Sequence, residues 1–127
     1  MEKVRPKLPV ALTEGELKEE ELFQNMVLRP VIKMQHDLLI MRVKSHFISK
    51  RVLFNVMDNK KRTEAIIQAF QSDHNLKKEI QGMIIGQLTV LEFQQYLKIE
   101  RSLNKRIVQM VRNRMICLLY TSPSPRD

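Results

Sequence analysis

Apolar residues recur along this chain at intervals of three and four, which is the spacing of one face of an α-helix. Residues 51–57 come closest to the strict alternation of a strand, and they are interpreted as a connection. Between residues 13 and 116 proline and glycine are rare, while Leu, Met, Lys, Glu and Gln, which favour helices, are common. The pattern predicts an all-α, single-domain bundle of five or six helices over residues 13–116.

Local signals predict where these helices begin and end. Thr13 and Glu16 have the spacing of a capping box, which opens a first helix that ends near residue 25. Pro30 suits the first turn of a second helix, over about residues 30–49. A third helix is predicted to begin after Asn55 or Asp58 and to end near Gln71. A fourth is predicted to begin after Ser72 or Asp73, with one apolar face that consists of Leu76, Ile80, Met83, Ile84 and Leu88. Thr89 and Glu92 have the spacing of a second capping box, which predicts a helix from Val90.

The second predicted helix, 30–49, carries apolar side chains on two sides. What we call the first stripe consists of Val31, Met34, Leu38, Met41 and Ile48, and the second stripe consists of Ile32, Leu39, Val43 and Phe47. A helix that is apolar on two faces is most simply packed between neighbours. The sequence therefore predicts this helix at the centre of the fold.

The last helical stretch changes phase along its length. Val90, Phe93 and Leu97 form one apolar face, which points about 90° away from the later face at 100° per residue. The later face consists of Leu103, Ile107, Met110 and Val111. This shift predicts a kink or a break between Lys98 and Ser102.

Both ends of the chain differ from the middle. Residues 1–12 contain two prolines and scattered charge, which predicts an extended arm. The last eleven residues, Cys117 to Asp127, resemble the translation of a transposase sequencing adapter, and an ATC codon at Ile116 would supply the adapter's preceding base. We therefore expect residues 117–127 to be non-native and the natural domain to be truncated at its C-terminus.

Composition narrows the classes of function. The formal net charge is +8, and it is unchanged without the tail because Arg126 and Asp127 cancel. The tail also holds Cys117, the only cysteine, so the rest of the chain excludes disulfides, thiolate metal sites and thiol catalysis. No apolar leader or membrane-length apolar run is seen, so the expected location is the cytoplasm, with no membrane partner.

Residues suited to catalysis or metal binding are few. His36 and His46 are ten positions apart on one predicted helix, whereas paired helical ligands are four apart. His36 falls within the second stripe and is predicted to lie at the core edge with one hydrogen bond. No glycine-rich loop could cradle phosphate. We therefore predict no metal, cofactor or catalytic residue, and an enzyme of unfamiliar arrangement is the least favoured function.

Two sets of residues are candidates for contact with other molecules. Gly82 and Gly86 are spaced for close helix approach, either within the bundle or as a groove for a partner. With Leu103, Ile107, Met110 and Val111 they form the candidate protein contact. The candidate basic patch consists of Lys98, Arg101, Lys105, Arg106, Arg112 and Arg114. This patch would attract nucleic acid or an acidic protein, or it serves only as a solvated face.

Four segments carry a resemblance to a known family. They are Phe23-Gln-Asn-x-x-Leu-Arg-Pro-x-x-Lys-x-Gln-His36, Gly82-Met-Ile-Ile-Gly86, Thr89-Val-x-Glu-x-x-x-Tyr96 and Leu103-Asn-Lys-Arg106. With these motifs the chain resembles a family of small uncharacterised bacterial helical proteins, some of which carry a glyoxalase label. The resemblance implies an all-helical fold and supplies no functional residue. The chain has neither the strands nor the His/Glu spacing of glyoxalases with paired βαβββ modules, so we do not expect that activity.

These observations favour a non-catalytic protein-interaction module, which binds an unknown protein or a second copy of itself. The alternative is a basic nucleic-acid-binding protein that uses the last helix.

Overall fold

The computed structural model describes the backbone of residues 14–121 and the side chains of residues 18–119. The predicted arm 1–12, the capping residue Thr13 and the Glu16 side chain lie outside the described residues, as does the end of the tail. The helices are α1 (Glu14–Phe23), a π-helical turn (Gln24–Leu28), α2 (Arg29–Met34), α3 (His36–Ser49), a 3-10 turn (Phe54–Val56), α4 (Asn59–Ser72), α5 (His74–Ile85), α6 (Val90–Lys98) and α7 (Glu100–Thr121). The described chain contains no strand, which confirms the prediction of an all-α bundle. If α1, the π-helical turn and α2 are counted as one continuous helix, the described residues form six helices.

The first two predicted helices are not separated by a loop. The Arg29 N–H donates to the carbonyl of Gln24, five residues back, and this wider turn leads directly into α2. Pro30 lies in the first turn of α2, as predicted, where its missing N–H costs least. Helix α1 ends at Phe23, close to the predicted residue 25, but a π-helical turn joins it to α2 where the sequence predicts two separate helices.

The predicted helix 30–49 is divided at one residue. Gln35, at φ −91° and ψ 10°, separates α2 from α3, although its N–H still donates to the carbonyl of Val31. The Gln35 side-chain amide donates to the carbonyl of Met83 at 3.1 Å, which ties the bend to α5. At its other end α3 ends at Ser49, and Arg51, two residues further on, has a left-handed φ of 60°. The Val52 N–H then bonds the carbonyl of Phe47, as in a Schellman cap.

Side-chain caps begin the later helices where the sequence predicts them. The Lys61 N–H donates to the Asp58 carboxylate at 2.9 Å, and the Leu76 N–H donates to that of Asp73 at 3.0 Å. Thr89 and Glu92 form both hydrogen bonds of the predicted capping box. The predicted break after Lys98 is also present, because Ile99 leaves helical geometry between α6 and α7. Each of these caps joins two residues three positions apart, so the local sequence is enough to predict it.

One hydrophobic core joins the helices. It consists of Phe23, Leu28, Ile32, Leu39, Val43, Phe47, Ile66, Ala69, Phe70, Leu76, Ile80, Ile84, Tyr96, Leu103, Ile107, Val108, Val111 and Met115. Helix α7 contributes more of these side chains than any other element, since it packs against both α4 and α5. The centre of the fold is thus α7, whereas the sequence predicted the helix over residues 30–49.

Helix α7 continues into the segment predicted to be non-native. The structure is helical through Thr121, and Leu118 and Leu119 are partly buried against the core. Apolar side chains on the inner face are enough to prolong a helix whose earlier turns are already packed. The adapter origin of this segment stays a prediction.

Candidate interaction surfaces

The second stripe of α2 and α3 is buried, whereas four of the five residues of the first stripe are exposed and the fifth, Val31, is partly buried against the core. Ile32, Leu39, Val43 and Phe47 belong to the core. On the opposite side, Met34 is 62% exposed, Leu38 54%, Met41 67% and Ile48 75%. The prediction that this helix packs between neighbours is wrong for the described residues, because α5 and α7 lie on one side of it. The structure leaves an apolar helix face open to water.

An apolar groove of about 660 Å³ adjoins this face. It lies between α3, the connection 51–56 and the end of α7, and Ile48 of the first stripe lines it. Phe54 forms one wall, stacked on Phe47 with ring centroids 4.8 Å apart. Arg62 holds that wall in place, since its Nε donates to the Phe54 carbonyl at 2.9 Å. The other wall includes Leu118 and Leu119, which the sequence predicts to be non-native.

A second exposed apolar surface lies on α6. Val90, Phe93 and Leu97, the early face of the last predicted helical stretch, are all exposed. The residues that follow Leu97, Lys98 and Ile99, line a pocket together with Leu22 and Met26. Only Tyr96 anchors α6 in the core among its described residues.

The later face, proposed from the sequence as a protein contact, is part of the core. Leu103, Ile107 and Val111 are completely buried, and Met110 is half-buried against them. Because α7 packs on α4 and α5 with this face, these side chains are not accessible to a partner in this structure. The prediction that these four side chains contact a partner is therefore wrong for this structure.

The two glycines of the same predicted contact are exposed. A Cβ added at Gly82 would meet no atom within 4 Å, so no neighbouring helix approaches it closely. A Cβ at Gly86 would lie 3.0 Å from the Gly82 carbonyl, within the same helix end. The interpretation of this spacing as tight helix packing is therefore wrong, and the glycine edge of α5 faces open space.

The six residues of the candidate basic patch do not converge. Arg106 turns to one side of α7, where its Nε donates to Gln24 at 3.0 Å. Arg114 turns to another, where its Nε donates to Nδ1 of His36 at 2.9 Å. Lys98 lies at the α6 pocket, and Arg101 is exposed. Only Lys105 and Arg112 of the patch share a concave site.

That site is a cleft of about 400 Å³ between α4, α5 and α7, which we call the basic cleft. From α5 it receives His74, Lys77 and Lys78, which sequence reasoning did not assign to a site. A signal was present, because residues 74, 77, 78 and 81 follow the helical spacing i, i+3, i+4, i+7 beside the apolar face of α5. What the sequence could not supply was the helix that this polar stripe faces.

The three histidines have different surroundings. His36 is half-buried and accepts the Arg114 hydrogen bond, which confirms the predicted core-edge role. His46 lies 3.7 Å from the Asp73 carboxylate, which also neighbours the Lys50 ammonium at 3.9 Å. Among the described residues no three metal-ligating side chains come together.

Two titratable groups have shifted pKa values. The hydrogen bond from the Leu76 N–H lowers the pKa of Asp73. Burial opposes this shift, and the nearby charges of His46 and Lys50 lower the pKa further. Burial raises the pKa of Tyr96, and the negative charge of Glu100 raises it further. Both groups serve the fold, because Asp73 caps α5 and the Tyr96 hydroxyl donates to Asn104 at 2.6 Å.

Comparison with protein-family models, with curated proteins and with solved structures gives no match to this chain. The resemblance to small bacterial helical proteins therefore stays a prediction. Within residues 14–121, no helix combines the length and the apolar character needed to cross a bilayer.

Proposed function

We propose that this chain is a protein-interaction module whose contact face is the first stripe of α2 and α3. The observation that supports the proposal is the exposure of Met34, Leu38, Met41 and Ile48 on one helix face. Exposed apolar side chains grouped on one surface mark interaction sites more often than scattered ones do. An amphipathic helix could pack its own apolar side chains along such a face.

Three features of this face suit binding. Its backbone is held by the core, because the opposite side of the same helix carries Leu39, Val43 and Phe47. Two of its side chains are methionines, which adapt their shape to a partner. Ile48 also lines the apolar groove, so the face and the groove share an edge. We base the proposal on the face because the groove depends partly on Leu118 and Leu119.

The partner is a second copy of this chain or a different protein, and sedimentation velocity separates the two. For a second copy, the sedimentation coefficient of the wild type rises with concentration. The double substitution Leu38→Gln and Met41→Gln abolishes this rise. The matched control is Leu91→Gln with Leu97→Gln, which removes two exposed apolar side chains from α6 and leaves the rise intact.

For a different protein, the wild type is monomeric, and a photo-crosslinking amino acid tests the face in the native host. Placed at Met41, it should give a discrete crosslinked species that the same group at the exposed Gln87 does not give. A monomer that yields no such species at position 41, or yields the same products at both positions, contradicts the proposal. The cytoplasmic location expected from the sequence remains part of this proposal.

A nucleic-acid interface along the last helix is the weaker candidate. Arg106 and Arg114 point to different neighbours, so α7 does not present a continuous row of cations for a phosphate backbone. We therefore do not extend the proposal to that interface.

A further inference from the structure

The basic cleft has a lining of unusual charge. Lys77, Lys78, Lys105 and Arg112 line it together with His74, and its lining contains no Asp or Glu. The four cations come from two helices that lie far apart in the sequence and pack side by side. Like charges brought together by packing destabilise a fold unless solvent, salt or a ligand screens them.

The structure gives these cations no carboxylate partner among the described residues. The Lys77 Nζ donates to the backbone carbonyl of Gln71 at 3.1 Å, which leaves its charge uncompensated. The Arg112 guanidinium bonds the neutral amide of Asn113. The ion pairs found in the described chain lie elsewhere, between Arg42 and Glu79 and around Asp73. The cleft therefore concentrates positive charge.

Uncharged groups complete the lining. Phe70 and Val108 are buried side chains and, with the partly exposed Ile67, provide apolar surface to the cleft. The polar lining adds amides from Gln71, Gln81, Asn104 and Gln109. A cavity of about 400 Å³ is within the size range of small-molecule sites. Apolar surface beside cations and amides suits a ligand with one apolar end and one anionic end.

We propose that the basic cleft binds a small phosphorylated ligand with an aromatic or apolar part, of the chemical class of nucleoside di- and triphosphates. The phosphates neutralise Lys77, Lys78, Lys105 and Arg112, while the amides hydrogen-bond their oxygens. The apolar part covers Ile67 and Phe70. A compact ligand fits better than a nucleic-acid strand, because the cations meet in a concavity and do not continue along α7.

This inference is independent of the protein-interaction face, which lies on α2 and α3. The test is isothermal titration calorimetry of the full chain at low ionic strength with ATP, AMP, adenosine and inorganic tripolyphosphate. We expect saturable binding in the order ATP, then tripolyphosphate, then AMP, with adenosine weakest, and an affinity for ATP that falls with added salt.

Two variants locate the binding. Lys78→Gln with Lys105→Gln removes two exposed cations of the cleft and should weaken ATP binding by about tenfold or more. The control, Lys44→Gln with Lys60→Gln, removes the same charge from exposed positions outside the cleft and should change the affinity by less than about twofold. Circular dichroism checks that both variants keep the helical content of the wild type.

Three results overturn the proposal. One is the lack of saturable binding of both ATP and tripolyphosphate. Another is an equal loss of ATP affinity in the cleft variant and in the control variant, which would assign the loss to the change in net charge. The third is tighter binding of a single-stranded oligonucleotide than of ATP, with both variants weakening the oligonucleotide binding equally. This result would assign the affinity to the general basic surface of the protein.

Discussion

Two neighbouring leucines of α3 offer a direct test of which side of that helix holds the fold. Leu39 is completely buried, and Leu38 is 54% exposed on the first stripe. Replacing either with alanine removes the same atoms from the same helix, so the change in helix propensity is nearly identical and cancels in the comparison. The difference between the two variants therefore reports packing alone.

The structure sets the expected magnitudes. Leu39→Ala removes a fully buried side chain and leaves a cavity, which costs about 3 kcal/mol of unfolding free energy. Leu38→Ala removes a side chain that is half in water and leaves no closed cavity, so it costs about 1 kcal/mol or less. The gap of about 2 kcal/mol corresponds to about 1 M in the urea midpoint for a domain of this size.

The assay is urea unfolding followed by circular dichroism at the lowest practical protein concentration. Equal losses for the two variants would refute the reasoning, because they would mean that the first stripe is packed within the monomer. A repeat at high concentration separates folding from association. If the first stripe contacts a second copy, the loss caused by Leu38→Ala grows with concentration while that of Leu39→Ala stays about constant.

Three further predictions concern single positions. Gly82→Ala should raise the unfolding free energy by about 0.5–1 kcal/mol, because the added Cβ meets open space and alanine favours the helix. A lower midpoint of thermal unfolding would contradict this, since it would show that another group lies close to Gly82. Asp73→Asn should keep the cap on Leu76 but make the free energy of unfolding less sensitive to acid. The lowered pKa of Asp73 gives stability that is present above its unfolded pKa and is lost as pH falls through its folded pKa. An unchanged midpoint of acid unfolding would contradict this. Tyr96→Phe should reduce the loss of stability at alkaline pH. The raised pKa of Tyr96 gives stability that is present below about pH 10 and is lost as pH rises through the folded pKa. Urea midpoints measured from about pH 8 to 11 test this, and parallel curves for the wild type and the variant would contradict it.

Local signals in the sequence account for most of the secondary structure. Asp58, Asp73 and Thr89 begin α4, α5 and α6 through hydrogen bonds to N–H groups three residues away. A short-range bond of this kind needs no knowledge of the rest of the fold. The π-helical turn before Pro30 was missed because nothing in five residues distinguishes a loop from a widened helical turn.

The candidate surfaces were harder to predict because they depend on which helices become neighbours. Apolar spacing identified both the first stripe and the later face of α7, but it could not say which would be buried. The outcome was the reverse of the prediction for contacts, since Leu103, Ile107 and Val111 entered the core while Leu38 and Met41 stayed in water.

The amino-acid sequence by itself determined that this chain is helical, that α4, α5 and α6 begin at their capping residues, and that a break precedes α7. These features follow from the periodicity of apolar residues and from hydrogen bonds within a single turn. Only the tertiary structure decided that one side of α3 is open and that Lys77 and Lys78 meet Lys105 and Arg112. Such juxtapositions join residues from separate helices, and packing of the whole core selects among the many pairings that the same periodic faces allow.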